Sequence, residues 1–196
     1  MSFRKEEKLL INTNQVFDFK KWLNSKGFMK IYKDRNVNSL YFENNSNKMF
    51  LDSEEGTVPR KKIRVRNYPD GDDKKYYLEI KNSSVEGRFK TRKIISVPSF
   101  DKYKNVGIFD DQYGVCVPNY YVSYLREYCI IDDVRISLDN NLVYTNFKNK
   151  LVHKDLNSIV EIKTSIKKNL DDLVKLFPFQ RIRFSKYCFA VDNLRK

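Results

Sequence analysis

The chain has 196 residues, 38 Lys and Arg against 25 Asp and Glu, a net charge of +13 and three cysteines. That length supports one domain with a sizeable core, expected to span residues 1–196, and the charge points to an anionic partner: nucleic acid, a phosphorylated small molecule, polyphosphate or an acidic membrane surface. Cys116, Cys129 and Cys188 are odd in number and lack CxxC spacing, which argues against a disulfide framework or a structural zinc site and fits a reducing compartment.

The opening MSFRKEEKLL begins with charges rather than an apolar signal-peptide core, and no run of about 18 apolar residues occurs, so a soluble, intracellular, cytoplasmic protein without a membrane segment is expected. The first strand follows at once, with Arg4, Glu6 and Lys8 on one side. Over residues 14–26, Val16, Phe19, Trp22 and Leu23 fall at helical spacing, and Gly27 stands where a helix would stop. Residues 44–59 and the turn Tyr68, Pro69, Asp70, Gly71 have loop character. Residues 170–177 place Leu170, Leu173, Val174 and Phe177 on one face ahead of Pro178, which predicts a second helix. The remainder has the composition of strands.

In a strand, residues two apart share a face. Lys62, Arg64 and Arg66 alternate with Ile63 and Val65, Glu79 and Lys81 with Leu78 and Ile80, and Lys90 and Arg92 flank Thr91 beside Phe89. The same pattern sets Arg135, Ser137 and Asp139 against Val134, Ile136 and Leu138, and Glu161 and Lys163 against Val160 and Ile162. It ends with Arg181 and Arg183 against Ile182 and Phe184. An antiparallel sheet with one wet face gives such alternation too. Here, however, the polar positions are dominated by Arg and Lys, and like charges on adjacent strands repel unless an anion lies among them. If the sheet closes into a barrel, the cationic face becomes a lumen that focuses its field on a polyanion.

The segments RKEEK at 4–8, SLYF at 39–42, KIRVR at 62–66, LEIK at 78–81, VRISLD at 134–139, VEIK at 160–163 and RFSKY at 183–187 resemble, in that order, the VTC domain. This is the polyphosphate polymerase domain of the triphosphate tunnel metalloenzyme superfamily. The resemblance implies an α+β, mainly β fold: a closed eight-stranded antiparallel barrel with helices packed outside. It also implies manganese or magnesium, and transfer of the γ-phosphoryl of a nucleoside triphosphate such as ATP onto a polyphosphate chain. Carried over by position, Lys8, Arg60, Arg64, Arg66, Lys81, Lys90 and the YxR arginine Arg126 bind phosphate, as do Arg183 and Lys186 near the other mouth. Arg92, Arg135 and Lys163 share the cationic face and join that set. Glu161 matches the metal carboxylate, with Glu6 as a second candidate. Arg4 stands where the superfamily's ExExK signature has its first glutamate, which speaks against two metals.

Phosphoryl transfer asks mainly for in-line positioning and charge neutralisation, which guanidinium, ammonium and a hard divalent ion supply. A phosphate chain end as acceptor gives polymer; water gives an inorganic or RNA 5′-triphosphatase. The same cations without chemistry give a polyanion-binding module. Nucleic acid is not expected, because the basic residues fall at strand period rather than on an exposed helix, and coupling to transport would need a membrane or sensor partner. Glu6 and Glu79 could instead pair with nearby lysines. His153 is expected on the surface in a Lys-rich turn, Tyr41, Tyr124 and Tyr187 as packing residues, and residues 193–196 as a solvated tail.

Overall fold

Alternation becomes strand along much of the chain: in a computed structural model, residues 4–71, 75–165 and 180–195 are described. The strands are β1 (Arg4–Ile11), β2 (Met29–Lys30), β3 (Arg35–Glu43), β4 (Arg60–Asn67), β5 (Tyr76–Ser84), β6 (Gly87–Ile95), β7 (Ile108–Asp110), β8 (Gly114–Ile131), β9 (Val134–Asn146), β10 (Val152–Asp155) and β11 (Ser158–Ser165). The helices are α1 (Thr13–Ser25), α2 (Lys48–Glu55), α3 (Val97–Val106) and α4 (Lys186–Leu194). The chain divides into two compact units. The first comprises Met1–Arg35, Tyr124–Leu142 and Lys154–Phe184; the second comprises Asn36–Ser123, Val143–His153 and Ser185–Lys196.

In the first unit, β11 lies between β1 and β9, antiparallel to both, so Lys8, Glu161 and Ser137 form one cross-strand row and Glu6, Lys163 and Arg135 the next. The opposite face is apolar. Leu9, Ile11, Val134, Ile136, Leu138, Val160 and Ile162 pack with Phe19 and Leu23 of α1, and Val16 and Trp22 close over that cluster as their spacing predicts. Helix α1 begins at a reciprocal cap in which the Gln15 N–H donates to the Asn12 side chain at 3.0 Å and the Asn12 N–H to the Gln15 side chain at 2.9 Å. It ends before Gly27, whose φ of +63° suits a residue without a Cβ.

In the second unit β3, β4, β5 and β6 form an antiparallel meander, and β7 and β8 a hairpin. Its apolar face, including Leu40, Phe42, Ile63 and Val65, packs with Met49 of α2 and Phe100 of α3. Burying each such side chain contributes roughly 1.5–3 kcal/mol. The turn at Tyr68–Gly71 is closed by the Gly71 N–H donating to the Tyr68 carbonyl at 3.1 Å.

Several expectations are corrected. Eleven strands occur among the described residues, and the hydrogen-bonded path through them has the expected eight, with β2, β7 and β10 paired off it; that path has two ends, β1 and β6, instead of closing on itself. The outer edge of β1 is taken by residues 180–182: the Leu10 N–H donates to the Gln180 carbonyl at 3.3 Å and the Ile182 N–H to the Lys8 carbonyl at 2.9 Å. The strand expected across Arg181 and Arg183 is reduced to one bridge, Leu9 with Arg181. Loop 44–59 contains α2, because the Glu43 carboxylate accepts from the N–H groups of Met49 and Phe50 at 3.1 and 2.9 Å and so starts the helix from outside it. Helix α3 arises within apparent strand material, begun by Ser96, whose hydroxyl accepts from the Ser99 N–H at 3.3 Å, and by Pro98 in the first turn. The tail is not solvated throughout: Asn193 and Leu194 complete α4, and Leu194 is buried with its carbonyl accepting from Asn146 at 3.0 Å. His153 lies in β10, half-buried, 5.5 Å from the Phe189 ring. The helix predicted over 170–177 lies outside the described residues. No described helix is long and apolar enough to cross a membrane.

Candidate functional site

The second unit carries a lattice of cations whose rows follow from strand register. Lys62, Lys81 and Lys90 stand opposite one another on β4, β5 and β6; the next row is Tyr41, Arg64, Glu79 and Arg92. Glu79, 2 % exposed, holds the lattice together. Arg64 donates to it through Nε and Nη2 at 2.9 and 2.6 Å, Arg66 lies at 3.8 Å, Lys90 at 3.2 Å and Arg92 at 3.5 Å. Burial alone would raise the Glu79 pKa, but Arg64, Arg66 and Lys90 outweigh it and bring it down to about 2. The glutamate therefore pairs with its neighbours, one of the two roles its position allowed. Lys90 and Arg92 keep roughly half and two-fifths of their side chains in solvent, at 48 % and 39 %.

A second layer orients this lattice. Arg64 Nη1 donates to the Tyr41 hydroxyl at 2.9 Å, and Arg66 Nε to the Ser39 hydroxyl at 3.1 Å. Burial would push the Tyr41 hydroxyl up, yet Arg64 and Arg66 leave it lowered. Tyr41 stacks on Tyr187 of α4 at 5.3 Å, and the Tyr187 hydroxyl donates to the Glu43 carboxylate. Burial and Glu43 hold the Tyr187 hydroxyl well above its ordinary value, while burial keeps Glu43 raised against the hydrogen bonds it accepts. Lys62 Nζ donates at 2.8 Å to Ser185 Oγ, which also caps α4 by accepting from the Cys188 N–H. Lys186, the first residue of α4, is half-buried. Arg60 donates through Nη1 to the carbonyls of Gly56 and Thr57 at 3.0 and 2.8 Å, which ties it to the end of α2.

The first unit has a different balance. Lys8 donates to the Phe184 carbonyl at 2.8 Å and lies 3.5 Å from Glu6; Lys163 lies 3.1 Å from Glu161 and 4.0 Å from Glu6. Arg126 grips the fully buried Asp139 with Nε at 2.5 Å and Nη2 at 2.6 Å, and reaches Glu161 at 3.4 Å. Burial works against the charged guanidinium, but Asp139 and Tyr124 raise its pKa well above the ordinary value. Burial likewise opposes the charge on Glu161, and Arg126 and Lys163 pull it well below the usual carboxylate range. Arg135 lies against tyrosine rings, and Arg183 is exposed.

Glu6 and Glu161 lie on neighbouring strands and share Lys163, whose ammonium is 4.0 Å from the first and 3.1 Å from the second. Among the described residues no group of three or more His, Cys, Asp or Glu is placed to hold a metal. Two hard carboxylates nevertheless fit a magnesium-like ion, which takes few protein ligands and completes its shell with water and phosphate oxygens. Sequence reasoning missed Asp139 as the holder of Arg126, Glu43 as the anchor of Tyr187, and the tie from Lys62 to Ser185. Period two puts Asp139 on the correct face, but no local signal reveals these long-range partners.

The VTC domain family model matches residues 3–195. No curated protein matches the chain. Among solved structures, a candidate adenylate cyclase from Bacillus halodurans is 11 % identical with a TM-score of 0.67, covering 100 % of this chain and 98 % of its own. The PH1819 protein of Pyrococcus horikoshii is 15 % identical with a TM-score of 0.61, covering 97 % and 99 %. A candidate adenylyl cyclase from Hippeastrum, with a dominant triphosphatase activity, is 14 % identical with a TM-score of 0.60, covering 97 % and 96 %. At these identities the likeness is one of fold.

Proposed function

Because the chain belongs to the VTC domain family, we propose that it is a triphosphate-tunnel enzyme, and specifically a polyphosphate polymerase that transfers the γ-phosphoryl of ATP onto a phosphate chain. The observation that carries this reading is the convergence of Arg64, Arg66, Lys90 and Arg92 on the single buried carboxylate of Glu79. Four cations fixed around one anion are pre-organised for phosphate oxygens, so little reorganisation is needed when phosphate arrives.

In this reading Arg64 and Arg66 present planar forks to phosphate oxygens, and Lys81 and Lys90 add point charges. Lys186 and Arg60 belong to the same set in the second unit; Lys8, Arg126, Arg135, Lys163 and Arg183 belong to that of the first. Glu161, with Glu6, would hold Mn2+ or Mg2+. When bound, that ion would neutralise charge on the phosphate oxygens. A terminal oxygen of the phosphate chain attacks the γ-phosphorus, the bond to the β-phosphate oxygen breaks, and ADP leaves. The cations stabilise charge on the transferred group and on the leaving oxygen.

Hydrolysis is the second reading, favoured by the fold likeness to the Hippeastrum protein and its dominant triphosphatase activity. Incubating the purified chain with ATP and manganese, resolving polyphosphate on a stained gel and assaying orthophosphate decides between them. Chains that disappear in Lys81→Ala and Glu161→Ala support polymerisation. Orthophosphate without chains establishes the hydrolase, and tight polyphosphate binding without turnover leaves a binding module.

A further inference from the structure

The first unit holds an aromatic and guanidinium cluster that phosphate transfer does not by itself require. Tyr32, in the link between β2 and β3, meets Tyr128 of β8 edge to face, with ring centroids 5.4 Å apart. The Arg35 guanidinium lies 5.2 Å from each ring centroid. That of Arg135 lies 5.8 Å from Tyr32 and 5.5 Å from Tyr128. Tyr128 is 6 % exposed and Tyr32 48 %, so one ring anchors the cluster and the other faces solvent. The cluster is continuous with the charged face of the same unit. Arg126 lies 6.0 Å from the Tyr128 ring while holding Asp139, and Arg135 stands opposite Lys163.

A chain of inorganic phosphates has no flat apolar face and gains nothing from a half-exposed tyrosine. A nucleobase does: it stacks on aromatic rings and guanidinium planes with little dependence on its identity. The edge contact with Tyr128 already fixes the orientation of Tyr32, so little side-chain freedom remains to be lost on binding. We propose that Tyr32, with Arg35 and Arg135, forms a platform for the base of a nucleoside triphosphate, whose phosphates extend toward Lys163 and Lys8 on the same face. This rests on the phosphate-transfer reading and adds to it that the first unit receives the nucleotide, not bare polyphosphate.

The test is calorimetric titration of the whole chain with ATP, with ribose 5′-triphosphate and with inorganic tripolyphosphate, each as its magnesium complex. Tyr32→Ala is expected to weaken ATP binding about tenfold while tripolyphosphate stays within about twofold, the size of one lost stacking contact. Tyr32→Phe keeps the ring and should match the unaltered protein on both ligands. The unaltered chain should also prefer ATP to ribose 5′-triphosphate by about tenfold, a comparison independent of any variant's folding. Equal weakening of ATP and tripolyphosphate in Tyr32→Ala, or no preference for ATP over ribose triphosphate, overturns the platform and leaves the phosphate reading standing. An unaltered chain that binds none of the three ligands overturns both.

Discussion

Arg64 and Glu79 stand directly opposite on neighbouring strands, and one carboxylate oxygen accepts from both Nε and Nη2 of the guanidinium. Glu79→Gln keeps the shape and removes the charge that Arg64, Arg66, Lys90 and Arg92 surround. Removing one partner of a buried ion pair strands the others, so the variant should lose about 3 kcal/mol of stability. In a chain of this size that lowers Tm by roughly 6–12 °C. A thermal melt checks it, and added tripolyphosphate should restore more Tm to the variant than it adds to the unaltered protein.

The same carboxylate sets a pH window. Its pKa falls from 4.5 to about 2 on folding, so the folded state holds the proton less tightly than the unfolded state. The stabilisation is then full above pH 4.5 and is lost as the pH falls through 2; it amounts to about 3 kcal/mol. Urea unfolding at pH 5 and at pH 2.5 should show this loss in the unaltered protein and a smaller one in Glu79→Gln.

Arg126→Lys tests the grip on Asp139. Lysine carries the charge but cannot make the two parallel bonds, which leaves the fully buried Asp139 short of a donor. A loss of about 2–3 kcal/mol is expected, read as a lower urea midpoint at unchanged slope.

Tyr187→Phe removes the hydroxyl that donates to Glu43 while leaving the ring stacked on Tyr41. Glu43 keeps the N–H groups of Asn44, Met49 and Phe50. The expected loss is therefore at the lower end of a lost buried donor, about 1–2 kcal/mol, measured in the same urea assay. Tyr187→Ala, which also removes the stack and the packing of α4, should lose clearly more.

What the sequence shows and what it hides follow from range. Lys62, Arg64 and Arg66 share a face with Ile63 and Val65 behind them because pleating is a local property, and α1 is visible because its cap and its stop lie within its own residues. Helix α2 is hidden because its anchoring carboxylate, Glu43, sits at the end of the preceding strand while its own cap residue, Asn47, makes no side-chain capping bond. Closure, which the family resemblance implies, is not legible in alternation for a related reason: alternation specifies faces but not which edges meet. The partners of Arg126 and Lys62 depend on contacts across 13 and 123 positions of sequence, beyond the reach of periodicity.

Strand β6, an end of the hydrogen-bonded path among the described residues, leaves Arg88, Lys90, Arg92 and Lys93 exposed along its length. An unpaired strand edge invites a second copy to add itself, and a row of basic side chains opposes that by repulsion. The charges proposed to draw phosphate to this unit thus also keep separate molecules from joining edge to edge. Saturation with a long polyanion works in the opposite sense, because it cancels the repulsion along that edge.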